Sequence, residues 1–262
     1  MIRGMNEGRA FVIIDGAVPT DSHRYIQTVL RSHQMQARIH TTSNTVASLA
    51  AQKKLAAQLA GYAGGALVSV GHSGLIAAGK AIATLAANGP GLLTSNTPGL
   101  RVAPRTHIAI PVGLGTAVEC TDTLTFADTN RRTVVDERLV GPVLLDHRLF
   151  GDDDPDKDDF VVLAMTLAAC TVTNPSHSLR GRTLALTAAN LVAGDDPRPV
   201  DVRTALAYAT AAHSDYQRCG RCAAGTVTVS TLVGVAYRSP AHICLQQALA
   251  RAGRANRSGL QP

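Results

Sequence analysis

Short, mainly apolar runs alternate with helical patterns through the first half of the chain, and this alternation restricts the fold more than any other feature. Residues 10–14 (AFVII), 66–70 (ALVSV) and 107–111 (HIAIP) are typical of strands that are buried on both faces. Residues 45–60 and 74–87 space their apolar side chains as a helix does. This alternation predicts a parallel, doubly wound sheet. A helix over residues 23–32 and a strand over 36–40 complete the predicted order.

The composition changes most sharply at residues 152–159 (DDDPDKDD), an acidic run typical of a solvated turn. We place a domain boundary there, between a Rossmann-like domain over residues 1–151 and a helical domain over residues 160–262. Residues 124–145 have irregular β character. The predicted fold class is α/β, with an N-terminal parallel sheet followed by helices alone. The predicted helices of the second half cover residues 160–171, 179–193, 202–212 and 241–252.

Composition and charge exclude several classes of function. Aromatic residues make up 3% of the chain and Trp is absent, which excludes a stacking surface for single-stranded nucleic acid. The net charge of +6 is small and its charges are scattered, so a DNA-binding surface is not expected either. No apolar run approaches the roughly 18 to 20 residues that span a membrane, and we expect a soluble protein. Five cysteines, an odd number at irregular spacing, indicate a reducing cytoplasm.

Two glycine-containing segments each follow a predicted strand. The first is Gly71-His72-Ser73-Gly74, which opens a helix that carries Lys80 two turns further on. A glycine turn at a helix start presents backbone N–H groups and the positive end of the helix dipole to an anion. The alternative interpretation is a tight turn between strand and helix that binds nothing.

The second segment, residues 110–121 (IPVGLGTAVECT), contains Gly113, Gly115 and Thr116 and continues to Glu119 and Thr121. Ligands of an open α/β sheet lie at the carboxyl ends of its strands. Two polar glycine segments at two strand ends therefore predict a crevice for a nucleotide.

The motifs of both segments resemble those of a known family. GHSGLIAAGK, residues 71–80, is similar to the pattern GGGSxxDxxK, and IPVGLGTAVECT is similar to IPTTxGTGSExT without a gap. A weaker third block, VLLDHRL at residues 143–149, is similar to LDPxL. Together they resemble the iron-containing alcohol dehydrogenases, a family related to the maleylacetate reductases and dehydroquinate synthases. The resemblance implies a Rossmann-like domain followed by a helical domain, here shortened, and an NAD or NADP cofactor held by Gly71, His72, Ser73, Gly74, Lys80, Gly113, Gly115, Thr116 and Thr121.

The chain departs from the family pattern at the phosphate-binding turn. His72 and Ser73 stand where the family has glycines, and Ala77 replaces its Asp. In the second block Ala117 and Val118 replace Gly and Ser. An imidazole at position 72 either blocks the approach of a phosphate or contacts it. If it is a contact, binding strengthens towards pH 6, because a protonated ring attracts an anion.

The family's metal ligands are mostly missing. The resemblance places an Asp and a His within residues 165–170, where the sequence has neither, and two His on a later helix. Of that second pair only His242 remains; Asn256 stands at the partner position and Gln246 replaces a further His. We therefore predict no bound metal. Maleylacetate reductases are thought to work without one.

Few other residues are candidates for catalysis or ligand binding. Cys219 and Cys222 (CGRC) are interpreted as structural thiols, with a redox pair or a zinc site completed by His242 and Cys244 as alternatives. Ser176 or Ser178 is expected to cap the following helix. Arg180 is a candidate clamp for a carboxylate. The candidate proton donors for catalysis are His177, His213 and His242.

Three functions are consistent with this pattern. The first is an NAD(P)-dependent, metal-independent reductase that acts on a small carbonyl or carboxylate substrate. The second is a non-redox synthase, lyase or isomerase on the same scaffold. The third is a catalytically silent relative that acts through a partner subunit. Because a shortened helical domain leaves apolar surface uncovered, we expect a homodimer or a complex with a second subunit.

Overall fold

A parallel sheet comes first in the structure and a group of helices comes last. The computed structural model describes residues 8–42, 48–62, 65–93, 100–115, 117–126, 133–150, 157–173 and 177–218, with side chains up to residue 213. No described helix combines the length and hydrophobicity that crossing a membrane requires. The elements are β1 Arg9–Asp15, α1 Thr20–Ser32, β2 Gln36–Thr42, α2 Leu49–Ala60, β3 Ala66–Gly71, α3 Ser73–Asn88, β4 His107–Pro111, β5 Thr123–Thr125, β6 Thr133–Val135, α4 Lys157–Thr173, α5 Leu179–Leu191 and α6 Pro199–Arg218.

The four-stranded sheet has the order β2-β1-β3-β4, and every pair within it is parallel. The chain leaves β1 towards one edge to form β2 and returns to β3 and β4 on the other side. The direction of winding therefore reverses between β1 and β3, which is where open α/β sheets bind ligands. This arrangement confirms the predicted fold class.

The sheet is buried on both faces because residues 10–14 of β1 are apolar, as are residues 66–70 of β3 apart from the buried Ser69. Phe11 and Ile13 of β1 belong to an apolar cluster that includes Leu59 of α2 and Ile82 of α3. Neighbouring positions of β1 point to the opposite face, where they join a second cluster that includes Ile26 of α1. The continuous apolar runs of the sequence follow from this two-sided burial.

Residues 141–144 run along the edge of β4, after a separate two-stranded hairpin. β5 and β6 pair antiparallel, with Leu124 opposite Val134. The backbone N–H of Ala109 in β4 donates to Pro142 O at 3.0 Å, and a bridge joins Ala109 to Val143. The approach is close: a Cβ on Gly141 would lie 2.2 Å from His107 O. The irregular β character predicted here corresponds to a hairpin and an extended edge segment.

The last three described helices pack on one another through small side chains. Ala164 of α4, Ala185 of α5 and Ala205 and Ala209 of α6 are fully buried in one apolar cluster. Ser178 caps α5, because its Oγ accepts a hydrogen bond from Gly181 N at 2.9 Å. The described part of the second half is therefore helical, as predicted. Ser176 and the predicted helix over residues 241–252 lie outside the described residues, and the domain boundary stays a prediction.

Candidate functional site

The two glycine segments meet at the carboxyl ends of β3 and β4. The backbone N–H of Val112, which follows β4, donates to Gly71 O at the end of β3 at 3.0 Å. A Cβ on Gly115 would lie 2.4 Å from Ser73 Oγ, so the two segments approach each other closely here. The structure thus joins Gly71 and Ser73 with Gly115 in one surface at the predicted crevice.

The start of α3 offers backbone donors to this surface. The first hydrogen bonds of the helix run from Leu75 N and Ile76 N to His72 O, which leaves the N–H group of Gly74 without a partner inside the helix. A Cβ placed on Gly74 or on Gly113 would meet no atom within 4 Å. The positive end of the helix therefore adjoins open space, as a phosphate group would need.

His72 is paired with an acidic residue that the sequence analysis did not single out. Its Nδ1 lies 3.2 Å from Oδ2 of Asp15 at the carboxyl end of β1, and the imidazole is half exposed. A Cβ on Gly71 would lie 2.6 Å from Asp15 Cβ, so β1 and β3 converge here. The position of Asp15 in the sequence could have indicated it as a site residue. Asp15 directly follows the apolar run of residues 10–14, at the end of the strand where ligands bind.

Lys80 and Thr121 are brought together by a buried contact. Lys80 Nζ donates to Val118 O at 2.9 Å, to Thr121 Oγ1 at 3.1 Å and to Thr121 O. Burial lowers the pKa of Lys80 to about 8, against the opposing effect of nearby Cys120, Glu119 and Asp122. These bonds join α3 to the end of the second glycine segment. Thr116 lies outside the described residues, and its predicted role stays a prediction.

An ion pair links the same segment to α6. Arg203 Nη2 donates to Glu119 Oε1, and the two side chains are 1% and 2% exposed. Arg203 Nε, Arg203 Nη1 and Glu119 Oε2 are buried without a protein hydrogen-bond partner. Since buried polar atoms are normally hydrogen-bonded, this pair departs from the usual pattern and contributes buried charge with incomplete pairing.

The candidate proton donors occupy different positions. His177 is buried immediately before the cap of α5. His213 lies on α6, where burial lowers its pKa and Asp122 acts in the opposite direction. The exposed Arg180 is in the first turn of α5. His242, Asn256, Gln246 and the CGRC cysteines lie outside the described residues.

The described residues do not fit the family's iron. Helix α4 covers the positions where the family has its Asp and His ligands, and it contains no His. Its only acidic residues, Asp158 and Asp159, lie in the first turn. Within the described ranges, no three His, Cys, Asp or Glu side chains come close enough to hold a metal ion.

Comparisons with known proteins identify the fold. No protein-family model matches the sequence, and no curated protein matches it significantly. Among solved structures, the chain is similar to iron-containing alcohol dehydrogenase from Thermococcus thioreducens, with a TM-score of 0.62 and 15% identity over 82% of this chain. The described chain has the fold of the iron-containing alcohol dehydrogenases. The resemblance of the sequence motifs is confirmed at this level.

Two further structures agree with this assignment of the alcohol dehydrogenase fold. Sulfoacetaldehyde reductase from Bifidobacterium kashiwanohense, solved with NAD+, has a TM-score of 0.57 and 16% identity over 80% of this chain. Alcohol dehydrogenase from Oenococcus oeni has a TM-score of 0.61 and 16% identity over 79% of it. The chain covers 61%, 59% and 58% of the three structures' own lengths. At these identities the similarity establishes the fold and a scaffold shared with oxidoreductases.

Proposed function

We propose that the chain is an NAD(P)-dependent oxidoreductase that reduces a small carbonyl or carboxylate substrate without a metal ion. The observation that carries this proposal is the contact between the two glycine segments, where Gly115 lies against Ser73. Both segments lie at carboxyl ends of strands, and one of them opens a helix. A protein of the same fold has been solved with NAD+.

The pyrophosphate of the cofactor would be held by backbone groups. The N–H group of Gly74 adjoins open space at the start of α3, and Gly113 supplies a second open position. Gly113 has φ of +69°, a conformation that glycine adopts without strain. The bound cofactor would supply hydride transfer. The resemblance adds Thr116 to the residues that would hold the cofactor. The hydrogen bond from Lys80 to Thr121 would support them.

The hydrogen-bond donor to the developing alkoxide would be a histidine, and His213 is the best supported of the three candidates. Burial lowers the pKa of His213 and so favours the neutral imidazole, whose one N–H donates a hydrogen bond while water supplies the proton of the product alcohol. Asp122, which interacts with His213, lies in the segment that follows the second glycine loop. His177 and His242 remain alternatives.

Metal independence is part of the proposal because α4 lacks the family's ligands. Hydride reduction then needs hydrogen-bond donors to stabilise the developing alkoxide. The cysteine usage supports a cytoplasmic protein. Exposed apolar side chains on α4 and α5, including the 82% exposed Leu179, support a homodimer or a complex with a second subunit.

A thermal-unfolding screen with NAD, NADP and sugar phosphates tests the cofactor. A ligand present at about 100 Kd stabilises a folded protein by roughly 2.7 kcal/mol. We expect a dinucleotide to raise the Tm of the wild type but not of Gly74→Val, whose side chain would occupy the open space at the start of α3. Gly91→Val is the matched control, because Gly91 also has no atom within 4 Å of its Cβ position but lies in the turn after α3.

The outcomes separate the three functions. Stabilisation by a dinucleotide that is lost in Gly74→Val supports the oxidoreductase. Stabilisation by sugar phosphates alone indicates a non-redox enzyme in the same crevice. No stabilisation by any of them, with the protein folded, indicates a catalytically silent relative and contradicts the proposal.

A further inference from the structure

A second recess lies away from the glycine segments. A cavity of about 220 Å³ is enclosed by α3, the residues that lead into β4 and residues 138–142. It adjoins His107, the first residue of β4, whereas the second glycine segment follows Pro111, the last. A strand of this length separates its ends by about 13 Å, at roughly 3.3 Å per residue. The cavity therefore lies at the opposite end of β4 from the second glycine segment, and Lys80 is the one residue of the proposed cofactor set that also lines it.

The lining of this cavity is basic and contains no Asp or Glu. Four basic side chains contribute to it: Lys80, Arg105, His107 and Arg138. His107 adds no charge, because burial lowers its pKa to about 3 and its Nε2 is hydrogen-bonded to Ser69 Oγ at 2.9 Å. The positive charge of the lining therefore comes from one lysine and two arginines.

Two of these three cations already have partners. Lys80 Nζ donates to Val118 and Thr121. Arg138 Nη2 donates to Asp136 Oδ2 and to Leu100 O, both at 2.7 Å. The half-buried Arg105 differs: its backbone N–H donates to Ala83 O, but its guanidinium has no hydrogen bond or ion pair with the described residues. The guanidinium donors of Arg105 are therefore available to a ligand.

We propose that this cavity binds a small oxyanion, a phosphate or carboxylate group, with Arg105 as its principal ligand. A guanidinium binds such groups through two parallel hydrogen bonds, and those bonds are strong because both partners are charged. The volume is below the roughly 300 Å³ at which pockets for drug-sized ligands begin, so a small ion or acid fits and a dinucleotide does not.

Isothermal titration of inorganic phosphate and of malonate into the full chain at low ionic strength tests this site. We expect one of the two anions to bind the wild type, with affinity reduced at least about tenfold in Arg105→Gln. Arg101→Gln loses the same charge at an exposed position outside the lining and should bind as the wild type does. Arg105→Lys, which keeps the charge but not the paired donors, should bind with intermediate affinity.

The same titration separates this site from the glycine crevice. Gly74→Val should retain the anion if Arg105 holds it, and melting curves show whether each variant is folded. Stronger binding of phosphate than malonate assigns a phosphate group, and the reverse assigns a carboxylate. The proposal is overturned if neither anion binds the wild type, if Arg105→Gln binds as tightly as the wild type, or if only Gly74→Val loses binding. None of these results depends on whether a dinucleotide binds.

Discussion

Arg203 on α6 and Glu119 after the second glycine segment form an ion pair that is buried on both sides. From the other direction, Lys80 on α3 holds Val118 and Thr121 on either side of Glu119. The end of the second glycine segment is thus fixed by one cation from the sheet half and one from the helical half. This double attachment connects the position of the proposed cofactor loop to the packing of the helices.

Removing Arg203 should be strongly destabilising. Arg203→Met leaves the Glu119 carboxylate buried without its partner, which typically costs about 3–5 kcal/mol in the free energy of unfolding. Arg198→Met is the control, since Arg198 pairs with Asp201 on the same helix but is exposed, and such pairs contribute about 1 kcal/mol or less. Urea unfolding followed by circular dichroism measures both. Equal losses in the two variants would show that the buried pair has no special role.

Adding Glu119→Leu to Arg203→Met should recover part of this loss, because the double variant buries no unpaired charge. The same variants should be titrated with NADPH. In the absence of urea, where the variant is fully folded, Arg203→Met is expected to bind NADPH more weakly than the wild type. Arg198→Met is expected to bind NADPH as the wild type does. If Arg203→Met lowers stability but leaves the NADPH affinity unchanged, the ion pair does not determine the position of the cofactor loop.

Much of the fold was predictable because its signals are local. The apolar runs of β1, β3 and β4 are long enough to identify buried strands, and helical spacing identified α2 and α3. Helix starts were less accurate: α2 begins at Leu49 and not at residue 45, because Ser48 caps it through a hydrogen bond from Ala51 N. The three-residue strands β5 and β6 are too short for periodicity to reveal their pairing.

The site was only partly predictable, because its partners are distant in sequence. The two glycine segments could be placed together from the rule for strand ends. The pairing of Asp15 with His72 and of Glu119 with Arg203 depends on how elements 57 and 84 residues apart are packed. The motif predicts that Lys80 binds the cofactor. In the structure its Nζ donates a hydrogen bond to Thr121, a contact that the motif does not reveal.

Acid should destabilise the fold through His107. Its pKa is lowered to about 3 by burial, and an unfolded His titrates near 6.5, so the unfolded chain binds the extra proton between these values. Stability is therefore complete above pH 6.5 and falls as the pH decreases, by about 2 kcal/mol at pH 5 from this residue alone. Asp136, whose pKa is lowered to about 2 by Arg138, loses its contribution only in more acidic solution.

Urea unfolding of wild type and His107→Gln at pH 7, 6 and 5 isolates this effect. The variant should lose less stability on acidification, although the lowered pKa values of His40 and His213 act in the same direction in both proteins. His33→Gln, at an exposed position, is the control and should follow the wild type. Parallel curves for wild type and His107→Gln would contradict the assignment.

A purified sample should contain substoichiometric iron and zinc. The described helix α4 has no His and carries its acidic residues only in the first turn, so it cannot reproduce the family's first ligand pair. Elemental analysis after dialysis checks this. One retained equivalent of either metal would contradict it, and loss of that metal in Cys219→Ser would assign it to the CGRC cysteines.

The protein should associate with itself or with a second subunit. Leu179 and Leu186 of α5 are 82% and 53% exposed, and Val162 and Met165 of α4 are 43% and 42% exposed. Sedimentation of the wild type should give at least twice the monomer mass, and Leu186→Glu should reduce it. Val102→Glu, equally exposed but outside the helices, is the control. A stable monomer at micromolar concentration without a co-purifying subunit would refute this expectation.

The last prediction concerns His72 and the cofactor. His72 is the N-cap residue of α3, next to the backbone N–H groups of the first turn, and its ring is held there by Asp15 Oδ2 at 3.2 Å. A phosphate approaching those groups would meet the imidazole where the resembling family has glycine, and the Asp15 carboxylate offsets any positive charge on the ring. His72→Gly should therefore bind NADPH about tenfold more tightly, equivalent to roughly 1.4 kcal/mol. Asp15→Asn, which removes only the negative charge, should give a smaller gain.

Fluorescence titrations of the wild type and of both variants with NADPH at pH 6 and pH 8 test this prediction. If His72→Gly binds NADPH more weakly than the wild type, and only the wild type binds more tightly at pH 6 than at pH 8, then His72 contacts the phosphate and does not obstruct it.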